Sequence, residues 1–212
     1  MKLCLSMKWN NIQWKLRKIM FYCQQMLHGK IDKDISIFCN NCIGAFVAHD
    51  FRLPFNSPTV NLMIPPRDFI EYISNLEQYN GLTIKAIESE KDWPIALLGQ
   101  SIHINFIHYK TISDGITAWR RREKRINYNK MYFILIETDG CTYEDLVRFD
   151  NLPYQNKVAL THIPYPQIKC SFCIKGYKDQ GGVIDSYRFH KILPLRQYDQ
   201  FNWHNFFKHK NK

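Results

Sequence analysis

No stretch of this chain approaches the roughly 18 consecutive apolar residues that a membrane-spanning helix needs. The longest candidate, near the N-terminus, is interrupted by Lys15, Arg17, Lys18 and Gln24, so a transmembrane helix is not expected. The opening MKLCLSMKW has no apolar core of about 7–15 residues followed by a small-residue cleavage site, and the cytoplasm is the expected location. Acidic residues are in deficit. Nineteen Asp and Glu against 29 Lys and Arg leave a net charge of +10, which favours an anionic partner: an acidic lipid surface, a phosphorylated substrate or nucleic acid. Helix-turn-helix, zinc-finger and RNA-binding aromatic signatures are missing, so nucleic acid is not expected. Also missing are a Walker loop, GxGxxG and GxSxG.

The seven cysteines are an odd, scattered set that does not make a secreted disulfide framework. Two Cys-x-x-Cys pairs, Cys39–Cys42 and Cys170–Cys173, invite a structural zinc site. They are far apart in the chain and the first sits where a strand passes into a loop, so zinc is not expected and no metal ligand is assigned. Internal repeats and low-complexity linkers are lacking.

What is present is enough apolar material, 45% of 212 residues, for one core rather than two. From Lys8 to His28, Trp9, Ile12, Leu16, Ile19, Met20, Cys23 and Leu27 recur at helical spacing, and Gly29 stops the helix. Packing against the domain is one use for this helix. Its lysines, Lys8, Lys15 and Lys18, and its tryptophans, Trp9 and Trp14, suit a second, attachment of residues 8–28 to the inner, anionic face of the plasma membrane.

Ile35–Cys39 reads as a buried strand, and Asn40 to His49 as a turn opening a helix. A short strand Thr59–Ile64 is expected among prolines, then a helix Asp68–Tyr79 and strands at Thr83–Ala86, Ile95–Leu98 and Ile102–Ile107. A helix Ser113–Arg125 follows, N-capped by Ser113. MYFILIET, residues 131–138, combines β-branched and aromatic residues and belongs at the centre of a sheet. Thr142 caps a helix Tyr143–Phe149 with Asp145 at its third position, Lys157–Ile163 is another strand, and the aromatic tail Gln197–Lys208 closes the fold as a helix. The alternation predicts one α/β domain, residues 35–212, with a mixed, largely parallel Rossmann-like sheet flanked by helices and preceded by the amphipathic N-terminal helix, residues 1–34.

In such sheets ligands gather at the carboxyl ends of the strands. The turn Asn40, Asn41, Cys42, Ile43, Gly44 offers backbone N–H groups to an anion at a helix start. His49, Asp50, Asn56, Ser57 and Thr59 are candidates to hydrogen-bond sugar hydroxyls, or are simple turn residues. His108, beside Tyr109, and His162, in Thr161-His162-Ile163-Pro164-Tyr165-Pro166, end strands and have the side chain suited to a general base near neutral pH; His162 is the stronger candidate. Asp139, after the strongest strand, could hold a donor or a divalent metal, or shape the turn. Residues 120–125 place five cations in six helical positions, with Trp119 and Arg122 on one face and Arg121 and Arg125 on another. One face could fork a phosphate, though a solvated helix face is the more ordinary explanation of the run.

Several ordered motifs together carry a resemblance: Asn40-Asn41-Cys42-x-Gly44 with His49-Asp50, Asn56 to Leu62, His108-Tyr109-Lys110, and Trp119 with Arg122, Arg125 and Asn127. Downstream are Asp139-Gly140-Cys141-Thr142, Arg148 to Tyr154, Thr161-His162-x-Pro164-Tyr165-Pro166 and Tyr198-Asp199-Gln200-Phe201. From about Ile35 to Phe207 the chain resembles the bacterial domain-of-unknown-function family nineteen-nineteen, whose members are labelled exopolysaccharide biosynthesis proteins. The resemblance implies a setting in capsule or exopolysaccharide assembly and names no reaction. The expected function is a glycosyltransferase-like transferase with a sugar or sugar-phosphate substrate and a nucleotide-sugar donor, the need for a divalent metal being left open. Asn40–Gly44 and the arginine helix would hold the donor, His162 or His108 would deprotonate the acceptor, and Asp139 would position donor or metal. Acyl transfer onto a polysaccharide and a non-enzymatic membrane-surface assembly role are the alternatives.

Overall fold

The run MYFILI forms the strand that the rest of the chain is built around. The computed structural model describes residues 2–138 and 140–208, with side chains from Trp9 onward. Its elements are α1 (Lys2–His28), β1 (Ser36–Cys39), α2 (Ile43–Asp50), α3 (Pro66–Ser74), α4 (Leu76–Tyr79), β2 (Ile84–Ile87), β3 (Ile95–Leu98), β4 (Ile102–Asn105), α5 (Ile112–Glu123), β5 (Met131–Ile136), α6 (Tyr143–Asp150), β6 (Lys157–Thr161), β7 (Ser171–Cys173), a 3-10 turn Gln197–Gln200 and α7 (Trp203–Lys208). A four-stranded, all-parallel sheet has the order β1-β5-β6-β7, and a separate antiparallel meander has the order β2-β3-β4. The expected mixed character of the α/β fold thus comes from two sheets.

A parallel sheet covered on both faces reads as a continuous apolar run, and β5 shows why. Tyr132, Ile134 and Ile136 enter one core with Phe21 of α1, Val47 of α2 and Trp203 and Phe207 of α7. Phe133 and Leu135 enter the other with Phe69 of α3, Trp119 of α5, Leu146 of α6 and the meander. β1 follows the same alternation, with Ile37 and Cys39 in the first core and Phe38 in the second.

β1 lies at the sheet's edge, where unpaired backbone groups would otherwise be exposed or orphaned. The segment after α2 covers that edge with side chains: Asn56 Nδ2 donates to Ile35 O, Ser57 Oγ donates to Ile37 O, and Thr59 Oγ1 accepts from Cys39 N. This explains why Thr59–Ile64 is not a strand. It runs beside β1 through side chains, Asn61 turns it at φ 58°, and only Met63 bridges to Asn105 of β4.

Other boundaries also moved. The expected Asp68–Tyr79 helix starts at Pro66 and breaks at Asn75, whose side chain donates back to Glu71. Thr111, rather than Ser113, caps α5, its hydroxyl accepting from Asp114 N at 3.1 Å. The Thr142–Asp145 capping box is as the sequence suggests. β7 was not anticipated, being three residues of only moderate burial.

The N-terminal helix docks in reverse of its pattern. The face pressed on the domain is Gln13, Arg17 and Phe21, all buried, whereas Trp9, Ile12, Leu16, Ile19, Tyr22, Met26 and Leu27 are exposed. Arg17 explains the inversion. Its guanidinium bonds both Asp50 oxygens, at 2.8 and 2.5 Å, and both Asp199 oxygens, at 2.5 and 2.7 Å, and lies 4.7 Å from the centre of the Phe21 ring. Burial alone would favour losing its proton, but the bonds to Asp199 and Asp50 outweigh that and raise its pKa. A buried cation is tolerated only when so paired. The attachment of α1 is therefore a polar clasp joining α2 to the 3-10 turn.

Candidate active site

At the carboxyl edge of the parallel sheet, β1 and β5 separate. Asn40, fully buried, spans the gap: its Nδ2 donates to Ile136 O at 3.0 Å and its Oδ1 accepts from Ile136 N at 2.8 Å. Beyond it α2 starts immediately. Gly44 lets the helix press on the strand, since a Cβ there would lie 2.5 Å from the Cys39 Cβ. The first turn of α2 is partly occupied by the protein itself, because Asn41 Oδ1 accepts from Ile43 N and the Gly44 N–H is directed at the Cys39 thiol. Asn40 and Gly44 thus serve the opening of the crevice, while Asn41 lines it.

On the other side of the same backbone, Glu137 follows the last residue of β5 and His162 the last residue of β6. Glu137 is 4% exposed. Its Oε2 accepts from the His162 backbone N–H at 2.8 Å and lies 2.7 Å from His162 Nδ1, and its Oε1 accepts from Tyr165 OH at 2.9 Å. With a buried carboxylate at that distance Nδ1 carries the proton, and Nε2, which has no partner among the described residues, keeps its lone pair. Burial, together with the neighbouring Glu137, pushes the Tyr165 phenol up to about 12, so it stays a donor. Among the described residues His162 is the one ion-pair partner within 4 Å of Glu137.

A cavity of about 330 Å³ opens beside this group, with Asn41, Cys42, Ile43 and Phe46 from the start of α2 on one side and Val183 to Tyr187 on the other. Thr138, which follows Glu137, and His108 complete it, while Glu137, His162 and Tyr165 are not among its lining residues. Val183 N donates to Glu137 O, and Gly182 passes so close that a Cβ would be 3.0 Å from that oxygen. The walls are mostly apolar, with Phe46 and Tyr187 stacked at 5.7 Å. Polar atoms come from Asn41, His108, Thr138, Asp185 and Ser186, and among the described residues no lysine or arginine lines it. Ser186 is 1% exposed and its hydroxyl has no partner among the described residues. Burial pushes the Cys42 thiol up to about 11.

The remaining expected residues lie elsewhere. Asn56, Ser57 and Thr59 are committed to the edge of β1. Asp50 is committed to Arg17 and Tyr198 OH. His49, at the far end of α2, meets the Trp14 ring edge-on, and burial lowers its pKa. Trp119 is a core residue. Arg122 is buried and donates to Val60 O at 3.1 Å and Tyr109 OH at 2.6 Å, which occupies Tyr109 as well. Arg125 and Asn127 follow α5 into the start of β5, and Asn127 bonds Ser36 and Asp34 at the start of β1. That is the opposite edge of the sheet from His162, so the arginine run and the strand-end residues do not form one site. Asp139 lies outside the described residues. The two Cys-x-x-Cys pairs sit on the two edge strands, β1 and β7, with β5 and β6 between them. No group of three or more His, Cys, Asp or Glu that could hold a metal occurs among the described residues.

Glu137 and the segment Gly181–Tyr187 escaped the sequence reading. Glu137 could have been found as the one charged residue ending a wholly apolar strand. Gly181-Gly182 could have signalled a close backbone approach.

Residues 14–208 match a family described as a domain of unknown function, DUF1919. The chain belongs to this family. A Haemophilus influenzae protein described as uncharacterized is 34% identical over 190 residues, covering 89% of this chain and 92% of that protein. The family match begins inside α1, before Arg17, and so takes in the clasp along with the sheet. Neither description names an activity.

Proposed function

We propose that this member of the DUF1919 family is a transferase that moves a glycosyl group from a phosphate-bearing sugar donor to an acceptor hydroxyl, in the assembly of a surface polysaccharide. The observation that carries the reaction is the Glu137–His162–Tyr165 group at the ends of β5 and β6. Glu137 fixes the ring and its tautomer, His162 Nε2 takes the acceptor's proton, and the adjacent carboxylate stabilises the imidazolium so formed. The bland alternative, a buried carboxylate merely satisfied by its neighbours, leaves Nε2 without a task.

The cavity suits the ring-bearing, uncharged end of a donor. Phe46 and Tyr187 offer ring faces, and Asp185 and the Ser186 hydroxyl offer polar atoms. Asp185 is the one carboxylate among the described lining residues. The apolar lining also supports acyl transfer with the same base. Cys42 would be a poor acyl carrier there, since its raised pKa keeps it protonated at neutral pH.

The test is a thermal-shift screen of the purified chain against nucleotide-sugars, nucleoside diphosphates and acyl-coenzyme A, followed by transfer assays on His162→Ala. A selective shift with nucleotide-sugars, and a fall in transfer of about 10²–10⁴-fold with donor binding retained, is expected. A shift with acyl-coenzyme A alone moves the reaction to acyl transfer, and no shift with any donor refutes both.

A further inference from the structure

We infer that the exposed face of α1, together with the loop His190–Leu193, is a docking surface for an anionic lipid bilayer. This is independent of the transferase reading. Helices in folded domains turn their apolar stripe inward, and α1 does the opposite. Ile19 is 59% exposed, Met26 60% and Leu27 80%, with Trp9, Ile12, Leu16 and Tyr22 between 42% and 50%. The helix has no freedom to roll and hide them, because its other face is locked by Arg17 between Asp50 and Asp199.

The patch is made by two segments far apart in sequence. Trp9 Nε1 donates to Lys191 O at 3.0 Å, and Gln13 Nε2 donates to His190 O at 2.7 Å and Leu193 O at 2.9 Å. These bonds pin a loop whose Ile192 is 72% exposed and Leu193 48% exposed against the side of the helix. A continuous, rigidly held apolar surface of this kind marks an interaction site.

Charge selects the occupant. α1 contains no Asp or Glu, and Lys15 and Lys18 are exposed around the stripe, on a chain of net charge +10. Trp9 and Tyr22 are the side chains that favour a lipid–water boundary. The chief rival is a second copy of the chain, because Trp9, Ile12, Leu16, Ile19, Cys23 and Met26 alternate spacings of three and four, a coiled-coil seam. Two such helices would bring lysines together with no acids to pair them. Tyr22, Leu27, Ile192 and Leu193 also widen the patch beyond a two-residue seam. A sheet of anionic headgroups satisfies both features.

The test is flotation of the full-length chain with vesicles of pure phosphatidylcholine and with vesicles rich in phosphatidylglycerol. Leu16→Asp/Ile19→Asp, Ile192→Asp and Lys15→Glu/Lys18→Glu are compared, with melting and sedimentation equilibrium on each. Binding to the anionic vesicles only, weakened by salt, is expected. The apolar variants should lose it, and the lysine variant should bind roughly tenfold or more weakly, while all melt as the parent does. If Leu16→Asp/Ile19→Asp fails to fold, Ile192→Asp, outside the helix, decides. Absence of vesicle binding, or binding unchanged in these variants, overturns the inference. A dimer that the apolar variants dissociate, without vesicle binding, assigns the face to a second copy.

Discussion

Glu137 shows how much one buried carboxylate can organise. It accepts two hydrogen bonds from His162 and one from Tyr165 while almost wholly enclosed. Glu137→Gln keeps its shape but puts an amide where two donors converge, so a loss of about 1–3 kcal/mol of stability is expected in thermal melts. Transfer should fall as well, because the imidazolium loses its counter-charge. Full activity in Glu137→Gln would remove His162 from the chemistry. Cys42 gives a second measurement at this scale. Its pKa of about 11 means that alkylation by iodoacetamide at neutral pH should be much slower than that of the exposed Cys23, and should accelerate as pH rises toward that value. Asp150 supplies the pH dependence. Burial works against its ionised form, but hydrogen bonds from the Cys170 side chain and from the backbone N–H groups of Cys170 and Lys169 prevail and hold its pKa below 3.8. A depressed carboxylate contributes stability that is present above the unfolded value and lost as pH falls through the folded one. The destabilisation caused by Asp150→Asn should therefore shrink when melts are taken progressively below pH 3.8.

Among the elements, the junction of β1 and α2 depends on Asn40 and Gly44. Gly44→Ala places a Cβ against that of Cys39, which neither backbone can yield to easily, and about 1–3 kcal/mol of destabilisation is expected from overpacking. Asn40→Ala severs both bonds across the separating strands, with a loss of the same order in denaturant titrations. The sequence made the central strand, the capping box of α6 and the α/β alternation legible, because each is written in local residue types. It did not reveal that Asn56, Ser57 and Thr59 line an edge strand, since side-chain pairing to a distant backbone leaves no periodic trace. The break at Asn75 was invisible for a related reason: helix spacing continues through it.

The whole molecule depends on α1 more than an appended helix would. Arg17→Ala leaves Asp50 and Asp199 without their cation, and breaking a buried pair of this kind costs about 3–5 kcal/mol. Removing residues 1–28 takes away the same cation and uncovers the first core at Phe21. The truncated chain should then aggregate or melt cooperatively at much lower temperature, rather than survive as a stable domain of residues 35–212. Composition, charge and local pattern by themselves determined the α/β class, the central place of MYFILI and the attraction of histidine at a strand end, because these depend on neighbours in sequence. Only the tertiary structure decided that Glu137 orients His162, that Arg122 is spent on Val60 O and Tyr109 OH, and that α1 buries Arg17 while its apolar stripe stays exposed. Each of those depends on which distant groups meet in a region without water, where an ion pair such as Arg17 with Asp50 and Asp199 outweighs the preference of an apolar stripe for burial.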